Sequence, residues 1–341
     1  MTDLSIIIPV YNEINYLADF TKRLHSSFKG EDVEYIIIDD GSTDGSKKWL
    51  SDFIKNKLLK NVNFINIEKN TGKGNALHSG IKIAKGKYIL FQDADLELDT
   101  NDSLEMYNII KNNRDIECIF GSRYLSGKLK KNNNYLNEFV GRFNSFLFNL
   151  LFSQSISDLH CGAKIVTKKV LEELNLTIRD FGFEIDVASQ IARKNLDIYE
   201  YGISYFARTK AEGKKITWID GVKSYFYLFK TRFLQNDKST IFSIIFSTSY
   251  MIYIGSFFGM GIGKDMVIAC FGLIGLFIGL HRKILNSSLI FLFCYFGSLF
   301  SKGNGKIYTV LIGFLIGLYL SKLLKNYFKR KKNDNLLRHF F

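Results

Sequence analysis

Three carboxylates stand on alternate positions of one short stretch, Phe91-Gln92-Asp93-Ala94-Asp95-Leu96-Glu97. The apolar run Tyr88 to Phe91 that leads into it reads as a buried strand. Alternate residues of an extended segment point the same way, so Asp93, Asp95 and Glu97 are expected to face one point. Hard oxygen donors gathered in that manner suit Mg2+ or Mn2+. A solvated acidic turn has the same composition. The location just past a strand's carboxyl end, where open α/β sheets bind ligands, favours the cation site.

A sheet has to hold those carboxylates in place, and the chain before them supplies one. Leu4 to Val10 is an apolar strand, after which Asn12 and Glu13 open a helical pattern through Tyr16, Leu17, Phe20 and Leu24. Val33 to Ile38 is the next strand and ends in Asp39-Asp40-Gly41-Ser42. Ser42 or Thr43 is placed to cap a helix through Trp49, Leu50 and Phe53. Val62 to Ile67, the helix Gly72 to Ala84, the strand Tyr88 to Phe91 and the strand Ile116 to Phe120 continue the alternation. Strands and helices alternating over short connections predict an α/β domain with a mostly parallel sheet covered on both faces. Tyr11, Glu13 and Asp40 join the acidic triplet at the strand ends. The turn Asn70-Thr71-Gly72-Lys73-Gly74 lacks phosphate-loop spacing and reads as the opening of a helix, with approach to a substrate as the second reading. After Gly121-Ser122-Arg123, the polar segment Ser126 to Asn137 carries Lys128, Lys130 and Lys131 and is expected to be a mobile loop.

The 341 residues leave room for about two domains. A net charge of +13 favours anionic partners, whether nucleic acid, anionic lipid or phosphorylated substrates. Cys118, Cys161, Cys270 and Cys294 have neither metal spacing nor a paired framework. Met1-Thr2-Asp3 leads straight into a strand, so no signal peptide is expected. From Ser239 to Leu324 the chain is almost uncharged, and that shift marks a boundary. Four apolar segments, 240–262, 266–281, 284–300 and 307–324, are near or slightly below the length that crosses a bilayer. Lys230, Arg232 and Lys238 precede them, Arg282 and Lys283 lie midway, and Lys325 to Lys332 follow, which places those sites in the cytoplasm. The two middle segments have re-entrant hairpins as their alternative. Phe139 to Phe152 and Trp218 to Leu234 mix aromatic rings with cations in the manner of interfacial helices. For the first of these an ordinary core helix is the alternative reading. Aromatic–basic mixing also occurs in nucleic-acid binders, but the apolar segments that follow argue for a membrane and against nucleic acid. The expected organisation is a cytosolic α/β domain over 1–215, an amphipathic interfacial helix over 216–238, about four spans over 239–325 and a basic tail over 326–341. Such a chain is also compatible with a homo-oligomer.

A cation-binding α/β domain seated on a membrane anchor calls for one soluble diphosphate and one lipid. The metal would assist departure of the diphosphate as a Lewis acid. Arg123, Arg208, Lys214 and Lys215 are candidates to hold a second anionic reactant, and the run Arg208 to Lys215 reads as a phosphate cradle. A solvated basic loop is its bland alternative.

Pro9-Val10-Tyr11-Asn12-Glu13, Asp39-Asp40-Gly41-Ser42 and Asp93-Ala94-Asp95 resemble the family 2 glycosyltransferases of GT-A fold. Gly121-Ser122-Arg123, Asp158-Leu159-His160-Cys161-Gly162-Ala163-Lys164 and Arg208 with Gly213-Lys214-Lys215 resemble the polyprenyl-phosphate branch, the dolichyl-phosphate glucose and mannose synthases. The resemblance covers about residues 4–236. It implies that Pro9, Tyr11, Glu13 and Asp40 contact the nucleotide, and that Asp93, Ala94, Asp95 and Glu97 line the metal and diphosphate site. It further implies that Arg123, Arg142, Arg208 and Lys214 meet the anionic groups, with 124–155 as an acceptor loop and Asp95, Arg123 and Arg208 closest to the chemistry. Asp158-x-x-Cys-Gly is similar to the glucose-type branch, so UDP-glucose is the expected donor and GDP-mannose the alternative. This chain departs from the usual pattern with Glu97 for Gln, Ala163 for an aromatic and Gly-Lys-Lys for Gly-Ser-Lys. A phosphate acceptor is largely dianionic at neutral pH, its second pKa being about 6. It therefore needs no strong base, and His160 reads as structural. Asp158 and Asp186 are available to orient groups. Gln190-Ile191-Ala192-Arg193-Lys194 lacks the Trp of the processive polysaccharide synthases, which remain an alternative. A non-enzymatic membrane scaffold is the alternative of a different class.

Overall fold

Leu4–Val10 and Val33–Asp40 carry apolar side chains at consecutive positions, and such strands need cover on both faces. The computed structural model describes residues 2–55, 59–125, 127–131, 135–209, 212–213 and 218–234. Its elements are β1 Leu4–Val10, α1 Ile14–Ser27, β2 Val33–Asp40, α2 Ser46–Lys55, β3 Val62–Ile67, α3 Lys73–Ile83, β4 Tyr88–Phe91, α4 Thr100–Asn112, β5 Cys118–Ser122, β6 Lys130–Lys131, α5 Tyr135–Phe152, β7 Lys164–Thr167, α6 Lys168–Glu172, α7 Phe183–Arg193, β8 Tyr199–Gly202, β9 Tyr205–Phe206 and α8 Trp218–Phe229. All of them lie in one compact unit, Met1–Thr231; of the second unit, Arg232–Phe341, only 232–234 are described. Lys214, the four apolar segments and the basic tail lie outside the described residues. Among the described residues no helix is long and apolar enough to cross a membrane.

Seven strands form the main sheet in the order β3-β2-β1-β4-β7-β5-β8. Most neighbours are parallel, but β7 runs antiparallel between β4 and β5. The sheet is mostly parallel, as expected, and β7 is its antiparallel member. The reason is directional: the chain reaches the sheet's carboxyl edge through Ser153 to Ala163, and from there a strand can only run back. The expected mobile loop contains β6, which pairs with β9, and its last residues already belong to α5. The cap expected at Ser42 or Thr43 also moves. Thr43 donates its backbone N–H to Asn12 Oδ1, and α2 starts only at Ser46, whose N–H donates to Asp44 Oδ1.

Period-two alternation divides the core in two. Leu4, Ile6, Ile8, Ile37, Leu90 and Ile119 face α1, α2 and α4, meeting Phe20, Leu50 and Tyr107. Ile7, Ile36, Ile38, Ile89, Phe91 and Phe120 face α3, α5, α6 and α7, meeting Leu77, Phe148 and Phe183. Asp99 caps α4 by accepting from the Asn101 N–H, which sets where the chain leaves the acidic stretch.

Candidate active site

The carboxyl ends of β1, β2, β4, β5 and β8 and the amino end of β7 share one edge of the sheet. Pro9 and Tyr11 sit there half-buried at the end of β1. The acidic stretch that follows β4 is bent rather than extended, with Leu96 in the left-handed region at φ 59°. The expectation that Asp93, Asp95 and Glu97 share one direction is thus corrected. Asp93 turns to Lys73, whose Nζ lies 2.8 Å from Asp93 Oδ1 and 2.8 Å from Glu184 Oε1. Asp95 and Glu97 turn to Arg208 together with Glu13. The guanidinium reaches Glu13 Oε2 at 2.8 Å, Asp95 Oδ2 at 2.8 Å and Glu97 Oε1 at 3.4 Å. Ala94 points away from the site and is buried in the sheet core.

Two cations, Lys73 and Arg208, thereby serve five carboxylates, Glu13, Asp93, Asp95, Glu97 and Glu184. Burial, and then the charges of Asp93 and Glu97, push the Asp95 carboxyl up to about 7 against the pull of Arg208. Among the described residues no three acidic, histidine or cysteine groups are arranged as a ready cage. The surplus negative charge and the hard oxygen donors nevertheless fit a divalent cation on Asp95 and Glu97, with Asp93 alongside.

Asp40 ends β2 beside this site. It is buried, and both oxygens are taken: Oδ1 accepts from the Thr71 N–H and hydroxyl at 2.9 Å each, and Oδ2 from the Gly72 N–H at 2.9 Å. It anchors the turn that delivers Lys73. At Gly162 an added Cβ would stand 2.1 Å from Asp93 Oδ2, so only glycine leaves the carboxylate its place.

A second cationic group adjoins the carboxylates. Arg123 donates from Nε to Asp158 Oδ2 at 2.6 Å, from Nη2 to Oδ1 at 2.8 Å and from its backbone N–H to Oδ2 at 3.0 Å. Asp158 is fully buried; burial opposes its charge, but Arg123 outweighs it and holds the carboxyl at about 2. Glu200 accepts from the Ser157 N–H and hydroxyl and from the Asp158 N–H, fixing this loop. Lys164 is buried and donates to the carbonyls of Leu159 and Cys161. His160 Nε2 is 3.0 Å from Asn144 Nδ2, and burial lowers its pKa to about 4, so it is neutral at neutral pH. Asp186 accepts from the backbone N–H groups of Thr177 and Ile178 and from Gln190 Nε2, orienting that loop on α7.

Tyr205 joins the two groups. Its hydroxyl donates to Glu97 Oε2 at 3.0 Å, and the Arg123 guanidinium lies 5.2 Å from its ring centroid. Arg123, Lys130 and Arg142 all lie over the ring of Tyr124, Arg142 at 4.3 Å, so the structure brings the three cations together. Arg142 and Lys130 both pair with Glu138. One face of α5 packs inward through Asn144, Ser145, Phe148 and Phe152. The other exposes Tyr135, Phe139, Phe143 and Phe146, whose rings follow one another at 6.2–6.4 Å, and Phe143 meets Tyr225 of α8 at 6.2 Å. The core-helix reading holds for one face of α5, and the other face is aromatic and exposed. Lys73 sat in a turn that was legible as glycine-rich, whereas Glu184, Tyr124 and Tyr205 gave no chemical signal in the sequence.

Residues 5–175 match the family described as Glycosyl transferase family 2. A dolichyl-phosphate beta-glucosyltransferase of Dictyostelium discoideum is 28% identical over 226 residues, 62% of this chain and 68% of that protein. A dolichol-phosphate mannosyltransferase of Pyrococcus furiosus is 26% identical over 274 residues, 78% of this chain and 75% of that protein. Among solved structures, the glucosyl-3-phosphoglycerate synthase of Mycobacterium tuberculosis, in complex with Mn2+, UDP and glucosyl-3-phosphoglycerate, superposes with a TM-score of 0.52. At 14% identity, over 67% of this chain and 80% of that one, it establishes the fold, GT-A.

Proposed function

The chain belongs to glycosyl transferase family 2, and from that premise we propose that it transfers a hexose from a nucleoside-diphosphate sugar to a polyprenyl phosphate, inverting the anomeric carbon. It is a glycosyltransferase. The observation that carries the finer reading is Tyr205, which touches Glu97 on one side and Arg123 on the other. It sets an acidic donor site beside a cationic acceptor site, which Arg142 joins from α5, a helix whose outer face is aromatic.

Asp95 and Glu97, with Asp93 beside them, would hold Mg2+ or Mn2+, which supplies Lewis-acid assistance to the leaving diphosphate. Arg123 is the preoriented anion partner, because Asp158 fixes the plane of its guanidinium before any substrate arrives. Arg142 and Lys130 extend that positive surface towards α5. The acceptor is a phosphate that is mostly dianionic at neutral pH, its second pKa being about 6. It attacks without a general base, which agrees with the neutral, half-buried His160. The exposed rings of α5 and α8 suit the boundary between headgroups and acyl chains. The apolar segments within 239–325 would then anchor the domain at the cytosolic leaflet.

Asp158-x-x-Cys161-Gly162 and the Dictyostelium relative favour UDP-glucose as donor. The longer match to the Pyrococcus relative supports GDP-mannose as the second reading. The test is purified full-length protein with Mn2+, a polyprenyl phosphate and each donor. A single lipid-linked β-glucose is the expected product. Lipid-linked mannose would move the reading to the second donor, a polymer would favour a processive synthase, and no product with any nucleotide sugar would refute polyprenyl-phosphate transfer.

A further inference from the structure

Arg208 occupies the middle of the donor site. Its side chain is 10% exposed and its three carboxylate partners, Glu13, Asp95 and Glu97, are between 7% and 17% exposed. Its backbone N–H also donates to Glu97 Oε1 at 3.1 Å, and its guanidinium lies 5.2 Å from the centroid of the Tyr16 ring. A planar, permanently charged fork can span several carboxylates at once, which a point charge cannot do. The oxygens it holds most closely on the acidic stretch, Asp95 Oδ2 and Glu97 Oε1, belong to the two residues best suited to a divalent cation. Asp93 pairs instead with Lys73, which it shares with Glu184.

We propose that Arg208 is the resident counter-charge of the donor site, competing with the divalent cation for Asp95 and Glu97 and becoming free to pair with the donor's diphosphate only when it yields them. This rests on the donor reading of the preceding subsection. It gives one side chain two successive partners of the same chemistry, carboxylate and phosphate, both matched to a guanidinium fork. It also keeps Glu13, Asp95 and Glu97 from facing one another unscreened while the site holds no donor.

The test is Mn2+ titration of the full-length protein without donor, read from the electron paramagnetic resonance signal of free Mn2+. Arg208→Gln is expected to bind Mn2+ at least about tenfold more tightly than the wild type, the worth of one charge-assisted hydrogen bond. Arg208→Lys keeps the charge but loses the fork and is expected to fall between. A purely structural ion pair predicts the opposite, affinity unchanged or weakened in both. If Arg208→Gln does not fold, Arg208→Lys carries the comparison alone: tighter binding supports the proposal, equal or weaker binding overturns it. A wild type that binds Mn2+ and transfers glucose, with variants that bind no more tightly, overturns the competition alone. Absence of Mn2+ binding in every form overturns the donor reading with it.

Discussion

Replacing Asp158 by Asn removes the charge that orients Arg123 while keeping the side chain's shape. The cost can be worked two ways. Asn mimics a protonated Asp158, and the fall of that carboxyl from 3.8 to about 2 corresponds to about 2–3 kcal/mol, at about 1.4 kcal/mol per tenfold change. Breaking a buried pair by removing one partner typically costs about 3–5 kcal/mol, because the other charge stays buried. Arg123 is 15% exposed and Asp158 is fully buried, so solvent screening relieves little of this. In a folded unit of this size the loss amounts to roughly 5–15 °C in the thermal midpoint. The sign with pH follows from the depressed carboxyl. Its stabilisation is complete above the ordinary carboxylate pKa and disappears as pH falls through about 2. Thermal melts of the full-length protein from neutral pH downwards should therefore show the wild type well above Asp158→Asn, with the two curves converging in strong acid. Arg123→Met combined with Asp158→Asn should cost less than the sum of the single changes. A neutral-pH difference below about 1 kcal/mol, or a gap that does not change with pH, would refute the account of Arg123 as a residue fixed by its partner.

Gly162→Ala puts a methyl group 2.1 Å from Asp93 Oδ2, and displacing that carboxylate should cut transfer about a hundredfold with little loss of fold; near-wild-type turnover in the transfer assay would show that Asp93 tolerates movement. Lys73→Met strands Asp93 and Glu184 together and should cost about 3–5 kcal/mol in a denaturation curve. Adding Glu184→Gln should recover part of that loss, and a Lys73→Met protein as stable as the wild type would remove the pairing. Phe139→Glu and Phe146→Glu lie on the exposed side of α5 and should leave stability within about 0.5 kcal/mol. Transfer to a long-chain polyprenyl phosphate should fall in both, while a short water-soluble acceptor reacts as before. Equal losses with both acceptors would argue against a lipid-facing helix.

Much of the α/β architecture was legible residue by residue. Leu4–Val10 and Tyr88–Phe91 come out at the bounds their apolar runs imply, because a strand buried on both faces is written locally as mostly hydrophobic side chains, and the half-buried edge strand Val62–Ile67 comes out at its expected bounds too. The acidic stretch was equally plain as chemistry. What its side chains do with their charges was not. Arg208 meets Glu13 across 195 residues and Asp95 across 113, and Tyr205 meets Glu97 across 108. No spacing rule reaches that far. The bend at Leu96, the antiparallel β7 and the Lys73–Glu184 pair follow from where the chain must turn once the sheet is assembled, so they exist only in three dimensions. Periodicity reports which face of an element is buried; packing alone decides which charge waits opposite it.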